Sequence, residues 1–381
     1  MVLFHCESNP GYAAASHELT FLRLAQRLVG GYENIHFAYR DLSNGRSPHL
    51  PNELTNLIKV DTTINSHNSL DDLSRYIRKH EIQLVFGFDQ PVRRPAFKHM
   101  RKAGVRHFIS YWGAPMSSIN RGLKLIFKKI DVAMAHHRPD HFVFQSEGMR
   151  QSAVHGRGIP ASQTSVVRTG IDTDKFHPAA DIDWYAHKLF GIEKDRRIVF
   201  FSGHMEARKG VDVVLRSAVE LVDRQGRNDV HFLILGNRPG QEAPFQPIYS
   251  GTRASEHITF GGYRSDIPEL LRSCDIGIIA STGWDSFPMS SIEMAASGLP
   301  LVVSDLPGLR EAVTPDTGLL FPVSDHVSAA AKIQLLLDNP GLRSKMGDMG
   351  RRRAVKEFSV ESQITGLETI IRRVAADILN R

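Results

Sequence analysis

Between positions 276 and 305 the chain passes from apolar to polar to small-apolar and back to apolar, an order that one local fold satisfies. Ile276-Gly277-Ile278-Ile279-Ala280 is a short apolar run bounded by turn residues and reads as a buried strand. Positions 281–286 form a loop, Pro288 suits the first position of a helix, and Ser286 and Ser281 are candidates to cap it. Positions 289–296 make a helix of small and apolar residues. Gly298 ends that helix, Pro300 blocks its continuation, and Leu301-Val302-Val303 is the next buried strand. A strand, loop, helix and strand in this order imply a parallel sheet.

Two carboxylates stand in this unit. Asp285 follows the carboxyl end of a strand, where open α/β sheets bind ligands. Glu293 lies among Ile292, Met294, Ala295 and Ala296, where an unpaired carboxylate is costly. Between them, the N–H groups of Met289 and Ser290 open the helix and form an anion site. One acid before a helix N-terminus, one further in and an anion site between them suit a sugar, a diphosphate and a ribose laid in a row. The plain alternative is a solvated loop aspartate and a buried, salt-bridged glutamate.

The same alternation runs through the rest of the chain. A strand at 2–6 leads into the turn at Gly11, whose lack of a side chain lets the backbone approach a ligand, and then into a helix at 13–29. Strands at 35–39, 84–88 and 107–111 alternate with helices at 70–80 and 97–103, and loops at Gly11, Asp89 and Trp112 fall on one edge of the implied sheet. In the second half, strands at 197–203, 230–236 and 258–263 precede the unit described first, and a helix spans 267–271. At 381 residues the chain is too long for one ordinary core, so two domains are expected. Hydrophobic content of 41% with 23% charged residues describes a globular protein, and no apolar run approaches the ~20 residues of a membrane span. Two cysteines make no disulfide framework and fit a reducing cytoplasm. A net charge of +6 favours anionic partners, among which nucleotide phosphates, anionic lipid and nucleic acid all qualify.

The stretch 121–130 is basic and apolar together: Leu123, Ile126, Phe127 and Ile130 share one helical face, with Lys124 and Lys128 beside it. Such a helix packs its apolar face into the core or lies on an anionic membrane. The core is the preferred expectation, because amphipathic helices of both kinds share the pattern. His136, His137 and His141 do not make a metal site on spacing, since Pro139 breaks the helix and no acid or cysteine cluster completes the set.

Seven residues separate Asp285 from Glu293, and this spacing resembles the Glu-x7-Glu signature of retaining GT-B glycosyltransferases of the group 1 family. Ala295-Ala296-Ser297-Gly298-Leu299-Pro300 is similar to that family's small-residue Gly-Leu-Pro ending. His204-Met205-Glu206-Ala207-Arg208-Lys209-Gly210 resembles its Gly-Arg-x4-Lys-Gly signature, and Gly170, Asp172 and Phe176 match a segment at the end of its first domain. Thr317 to Pro322 matches a further family turn. Two positions depart from the pattern: Asp285 stands where most members have Glu, and His204 where they have Arg. The family histidine of the loop at Tyr111-Trp112-Gly113 is also absent.

The resemblance implies two Rossmann-like doubly wound α/β domains facing a cleft. Residues 1–178 would be the acceptor side, 179–359 the nucleotide-sugar side, and 360–381 a terminal helix crossing back to the first domain. It implies a metal-independent enzyme that moves a hexosyl group from a nucleotide-diphospho-sugar to a hydroxyl acceptor with retention, in surface polysaccharide or glycoconjugate synthesis, with no bound cofactor. Asp285 and Lys209 would be catalytic. Gly11, His204, Arg208, Tyr263, Arg264, Phe287, Pro288, Met289, Ser290 and Glu293 would bind substrate, with Arg208 able to replace the missing arginine at 204. The partners would be the nucleotide sugar and a saccharide or lipid-linked acceptor, and no nucleic acid; apart from the resemblance, the residues of 121–130 make that stretch available to an anionic membrane at its cytoplasmic face.

Three other readings share parts of the pattern. A dinucleotide oxidoreductase lacks a Gly-x-Gly-x-x-Gly in the first turn. A metal-dependent transferase would use an Asp-x-Asp, and Asp181-Ile182-Asp183 and Asp172-Thr173-Asp174 fit that string at the domain boundary. A catalytically inactive nucleotide-sugar-binding scaffold accommodates the departures at 285 and 204. A soluble small-molecule acceptor is the alternative to a surface glycan.

Overall fold

A computed structural model describes residues 1–4, 6–8, 12–181 and 184–379. Met1–Arg168 with Val360–Arg381 form one compact unit, and Thr169–Ser359 form the other. The boundary therefore lies ten residues before the expected one at 178. Ile171 and Phe176 are buried in the second unit's core beside Phe200 and Leu235, so the segment that resembled a domain end already belongs to the second unit.

In the first unit, β1 (Val2–Leu3), β2 (Phe37–Tyr39), β3 (Leu57–Lys59), β4 (Leu84–Phe88), β5 (His107–Trp112), β6 (His141–Phe144) and β7 (Thr164–Val166) form one parallel sheet. Its order is β3-β2-β1-β4-β5-β6-β7, so the winding reverses between β1 and β4. The helices Tyr12–Val29, His67–Lys79 and Pro95–Ala103 lie within a few residues of their expected spans. β3 and β7 are edge strands of three residues, too short to carry a periodic signal. The helix Val360–Val374 completes this unit: Ile364, Leu367, Ile370 and Ile371 are buried with Phe21, Phe86 and Tyr111. Gln363 Nε2 donates to the Tyr111 hydroxyl at 3.0 Å.

The second unit holds β8 (Arg197–Ser202), β9 (Val230–Leu235), β10 (Ile258–Gly262), β11 (Ile276–Ile279), β12 (Leu301–Ser304) and β13 (Gly318–Phe321). They form a parallel sheet of order β10-β9-β8-β11-β12-β13. The stretch expected to be a turn at Thr317 to Pro322 is thus mostly the edge strand β13. Both faces of the sheet are apolar, as parallel strands covered by helices require. Along β8, Ile198 and Phe200 enter one core while Val199 and Phe201 enter the other. This two-sided burial is why the strands read as continuous apolar runs. Among the described residues no helix is long and apolar enough to cross a membrane.

Two Rossmann-like α/β units with these strand orders make the GT-B fold.

Candidate active site

The second sheet reverses its winding between β8 and β11, which pair directly (Ile276 opposite Val199, Gly277 opposite Phe200). In open parallel sheets the loops at the carboxyl ends of two such strands splay apart and leave a ligand crevice. The loop after β8 carries Lys209, and the loop after β11 carries Asp285. Residues 76 apart in sequence meet there: Lys209 Nζ donates to Asp285 Oδ2 at 2.7 Å.

The surroundings fix Asp285 firmly. Its side chain is 5% exposed and that of Lys209 is 16% exposed. Ser281 Oγ donates to the same Asp285 oxygen at 2.8 Å, and the Ser286 N–H donates to the other at 3.0 Å. The two serines thus position the aspartate; the expected capping role does not arise, since the helix Met289–Ala296 begins with no side-chain cap. Pro288 is the residue before that helix and not its first, and its carbonyl accepts from the Ser291 N–H at 3.0 Å. Ser281 is held in turn by Ser304, whose hydroxyl donates to the Ser281 carbonyl at 2.7 Å.

Lys209 is presented by a short 3-10 turn, Ala207–Lys209, that ends at Gly210. Gly210 has φ of +70°, and a Cβ there would sit 1.9 Å from the Ala280 carbonyl oxygen. Only glycine lets the loop after β8 lie this close to the end of β11. The Thr282 N–H donates to the Arg208 carbonyl at 2.8 Å, joining the two loops through their backbones.

Glu293 is 6% exposed, in a helix whose residues Ser291–Ala296 are all buried. Met289 and Ser290 at its start are half-buried, so the helix N-terminus opens beside the loop that holds Asp285.

Residues 184–353 match the family model described as glycosyl transferases group 1. This segment belongs to that family. Among curated proteins, the chain is 27% identical over 216 residues to the lipopolysaccharide core biosynthesis mannosyltransferase LpsB of Rhizobium meliloti, covering 54% of this chain and 60% of that protein. It is 29% identical over 212 residues to a D-inositol 3-phosphate glycosyltransferase of Corynebacterium aurimucosum, covering 54% and 50%. The chain thus spans half to three-fifths of the length of these curated relatives. Among solved structures, a glycosyltransferase from Rickettsia africae superposes with a TM-score of 0.80 at 17% identity, covering 98% of each chain. HepE from Anabaena, solved with UDP, superposes with a TM-score of 0.78 at 15% identity, covering 98% of this chain and 99% of that one.

Several of the positions singled out by likeness to group 1 glycosyltransferases have local commitments. Arg208 is engaged: its Nε pairs with Glu206 Oε2 at 2.7 Å, and its guanidinium lies 4.4 Å from the centre of the Trp284 ring. It therefore stacks beside Asp285's loop rather than standing unpaired at position 204's place. His204 Nδ1 lies 2.9 Å from the Tyr263 hydroxyl, and the Arg238 guanidinium lies 5.8 Å from the Tyr263 ring centre. Arg264 is bound to Asp266 at 2.7 and 2.5 Å, and Asp266 also accepts from the Tyr185 hydroxyl at 2.7 Å. The Arg264 guanidinium, helped by the Tyr185 hydroxyl and opposed by burial, holds the Asp266 carboxyl at about 2. The Phe287 ring is buried, packed edge-on against Phe358 at 5.1 Å, so it offers a ligand its backbone and not its ring. Gly11 lies outside the described residues, as do Ile182 and Asp183 of one Asp-x-Asp string. In the other, Asp172 Oδ1 accepts the N–H groups of Asp174 and Lys175 at 3.0 Å each, the work of a turn. His141 is buried and bonded to Ser165 Oγ at 2.8 Å, and among the described residues no three His, Cys, Asp or Glu side chains gather into a metal-holding group.

Sequence reasoning missed Ser281 and Trp284 as parts of this site. A serine four residues before Asp285 and a tryptophan adjoining it were available signals, but the partners that give them meaning come from β12 and from the loop after β8.

Proposed function

We propose that the protein transfers a hexosyl group from a nucleotide-diphospho-sugar to a hydroxyl of a saccharide or lipid-linked acceptor, with retention of anomeric configuration, in surface polysaccharide or glycoconjugate synthesis. The observation that carries this reading is the Lys209–Asp285 pair at the sheet's switch point, beside an open helix N-terminus. UDP is a ligand of HepE, and LpsB is a mannosyltransferase of lipopolysaccharide core synthesis; both support a nucleotide sugar as donor.

In this reading, Lys209 and the N–H groups of Met289 and Ser290 take up the negative charge that develops on the leaving diphosphate as the glycosidic carbon–oxygen bond breaks. Fixed cations and dipoles are worth most at such a point, because they need no reorganisation during reaction. They supply the charge that a divalent metal supplies elsewhere. An ammonium has three donors, and Asp285 uses one, so Lys209 can hold a phosphate oxygen without releasing the aspartate. Asp285 binds the sugar hydroxyls and sets the ring beside the diphosphate. Glu293 takes the ribose hydroxyls. His204 and Tyr263 approach the donor from the loops after β8 and β10. No glycosyl–enzyme bond is needed, since the acceptor oxygen bonds to the anomeric carbon on the face the diphosphate leaves and gives its proton to the departing phosphate oxygen.

The test is thermal shift with a panel of nucleoside diphosphates, in the presence of a chelator, on wild type and on Lys209→Ala and Glu293→Ala. A nucleotide at a hundred times its dissociation constant stabilises the fold by about 2.7 kcal/mol. The expected outcome is that one base stabilises the wild type and neither variant, and that the matching nucleotide sugar is then turned over with the anomeric configuration kept by NMR. Binding without turnover would leave an inactive nucleotide-sugar scaffold. No binding to a folded wild type would remove the donor site.

A further inference from the structure

We propose that the helix Gly122–Ala133 is a docking surface for an anionic lipid bilayer. The sequence pattern favoured its apolar face packing into the core; the structure turns that face outward. Leu123 is 73% exposed, Phe127 68%, Ile126 51% and Ile130 47%, and Ile119 and Met134 extend the patch beyond both ends at 55% and 57%. At about 100° per residue, Ile126, Phe127, Ile130 and Met134 all fall within about 60° of Leu123, so they form one stripe. Large apolar side chains gathered this way are unlike the scattered ones that any surface carries.

The helix is not loose. Val132, on the side opposite the stripe, is buried. Asp131 accepts from Arg93 Nε at 2.9 Å and from Arg157 Nη2 at 2.5 Å. A Cβ at Gly158 would lie 2.8 Å from the Lys129 backbone nitrogen, so that glycine lets the chain press against the helix's inner side. The outward stripe is therefore held in place by a well-anchored inner face.

Charge decides the occupant. Lys124 and Lys129 lie on the two flanks of the stripe, with Arg121 just before the helix; Lys128 is half-buried toward the inner side. The helix's one acid, Asp131, is already paired with Arg93 and Arg157. At the other end, desolvation lowers the pKa of His137, and Lys98, His136, Arg101 and Lys102 lower it further, so the positive field continues past the helix. A second copy of the chain docking through a two-fold axis would bring the same lysines against themselves. An anionic bilayer accepts both flanking lysines: an amphipathic helix lies in the interface with its apolar side among the acyl chains and its lysines at the headgroups. This inference does not depend on the transferase reading.

The test is co-sedimentation of the full chain with vesicles of one part phosphatidylglycerol to three parts phosphatidylcholine, and with phosphatidylcholine alone. Two double variants are compared with wild type: Leu123→Ser with Phe127→Ser, and Lys124→Glu with Lys129→Glu. All are checked by circular dichroism and thermal denaturation, and because the altered side chains are exposed they should fold. The expected result is binding to the anionic vesicles that weakens with salt and falls about tenfold or more in each double variant. Absent or equal binding to the two vesicle types, or variants that bind like wild type, would overturn the proposal. So would sedimentation showing a wild-type dimer that Leu123→Ser with Phe127→Ser splits, which would give the face to a second copy.

Discussion

Asp285 and Lys209 hold each other with side chains only 5% and 16% exposed, and that makes their energetics testable apart from catalysis. Removing the lysine alone leaves a 5% exposed carboxylate whose partners among the described residues are the Ser281 hydroxyl and the Ser286 N–H. Breaking a buried pair from one side costs about 3 kcal/mol, because the remaining charge has lost both water and partner. Lys209→Ala is therefore expected to lower the urea-unfolding free energy by about that amount. Adding Asp285→Asn should restore a large part of it, since a neutral amide needs no cation. Equal losses for the single and double variants would show that the pair contributes nothing. For transfer, losing one fixed charge at the leaving group typically costs about 100- to 1000-fold in kcat. The Asp285→Asn restoration should not extend to activity, so stability and rate separate the structural pairing from the proposed chemistry.

At the scale of elements, the site depends on two loops brought closer than side chains allow. Gly210 keeps the turn Ala207–Lys209 against the end of β11, with its φ of +70°. Gly236 does the same for the loop after β9: its φ is +103°, and a Cβ would lie 2.2 Å from the Gly203 carbonyl oxygen. A left-handed conformation costs a residue with a Cβ about 1 to 2 kcal/mol before any clash is counted. Gly210→Ala is expected to destabilise the second unit by about 2 kcal/mol or more and to move Lys209 away from Asp285. The readout is the unfolding midpoint together with nucleotide binding. A variant with wild-type stability and binding would mean that the loop has room the structure does not show. The helix Met289–Ala296 is the complementary element: small and apolar residues let its span from Ser291 to Ala296 be buried, and that burial is what places Glu293 inside the fold.

At the scale of the molecule, the chain order and the packing order differ. The helix Val360–Val374 comes after the whole second unit, yet Leu367 and Ile371 are fully buried in the first unit's core. Leu367→Ala removes buried methyl groups at a cost of about 3 kcal/mol, and the loss should appear as protease cleavage within 1–168 before any within 169–359. Buried histidines set the molecule's acid limit. Burial, the leading cause in each case, lowers His17, His36 and His141 to about 4 and His231 to about 3. An unfolded histidine titrates near 6.5, so below that pH the unfolded chain binds protons that the folded chain refuses. Stability is therefore fully held above about pH 6.5 and lost as pH falls from there through the folded values. Urea midpoints measured between about pH 7 and pH 5 should fall steadily, and His17→Leu should remove part of the slope.

The sequence alone determined the alternation of strands and helices and the helix that carries Glu293. It also determined the Lys209-Gly210 and Asp285 loops, with their likeness to group 1 glycosyltransferases. These were legible because parallel strands are buried on both faces and so need apolar runs, while the turns between them need Gly and Pro. Both requirements are local. The tertiary structure decided what local pattern leaves free. A stripe of Leu123, Ile126, Phe127 and Ile130 establishes that a helix has an apolar side but not whether that side meets a core, and here the buried contacts at Val132 turned it outward. Likewise the sequence presented Arg208 and Phe287 as neighbours of a ligand, and Ser281 and Ser286 as helix caps. Their hydrogen bonds, ring stacking and burial assigned them to Trp284, Asp285 and Phe358. Long-range partners are chosen when strands distant in sequence become neighbours in a sheet. That adjacency of β8 and β11 is a property of the folded sheet and has no signature in either strand by itself.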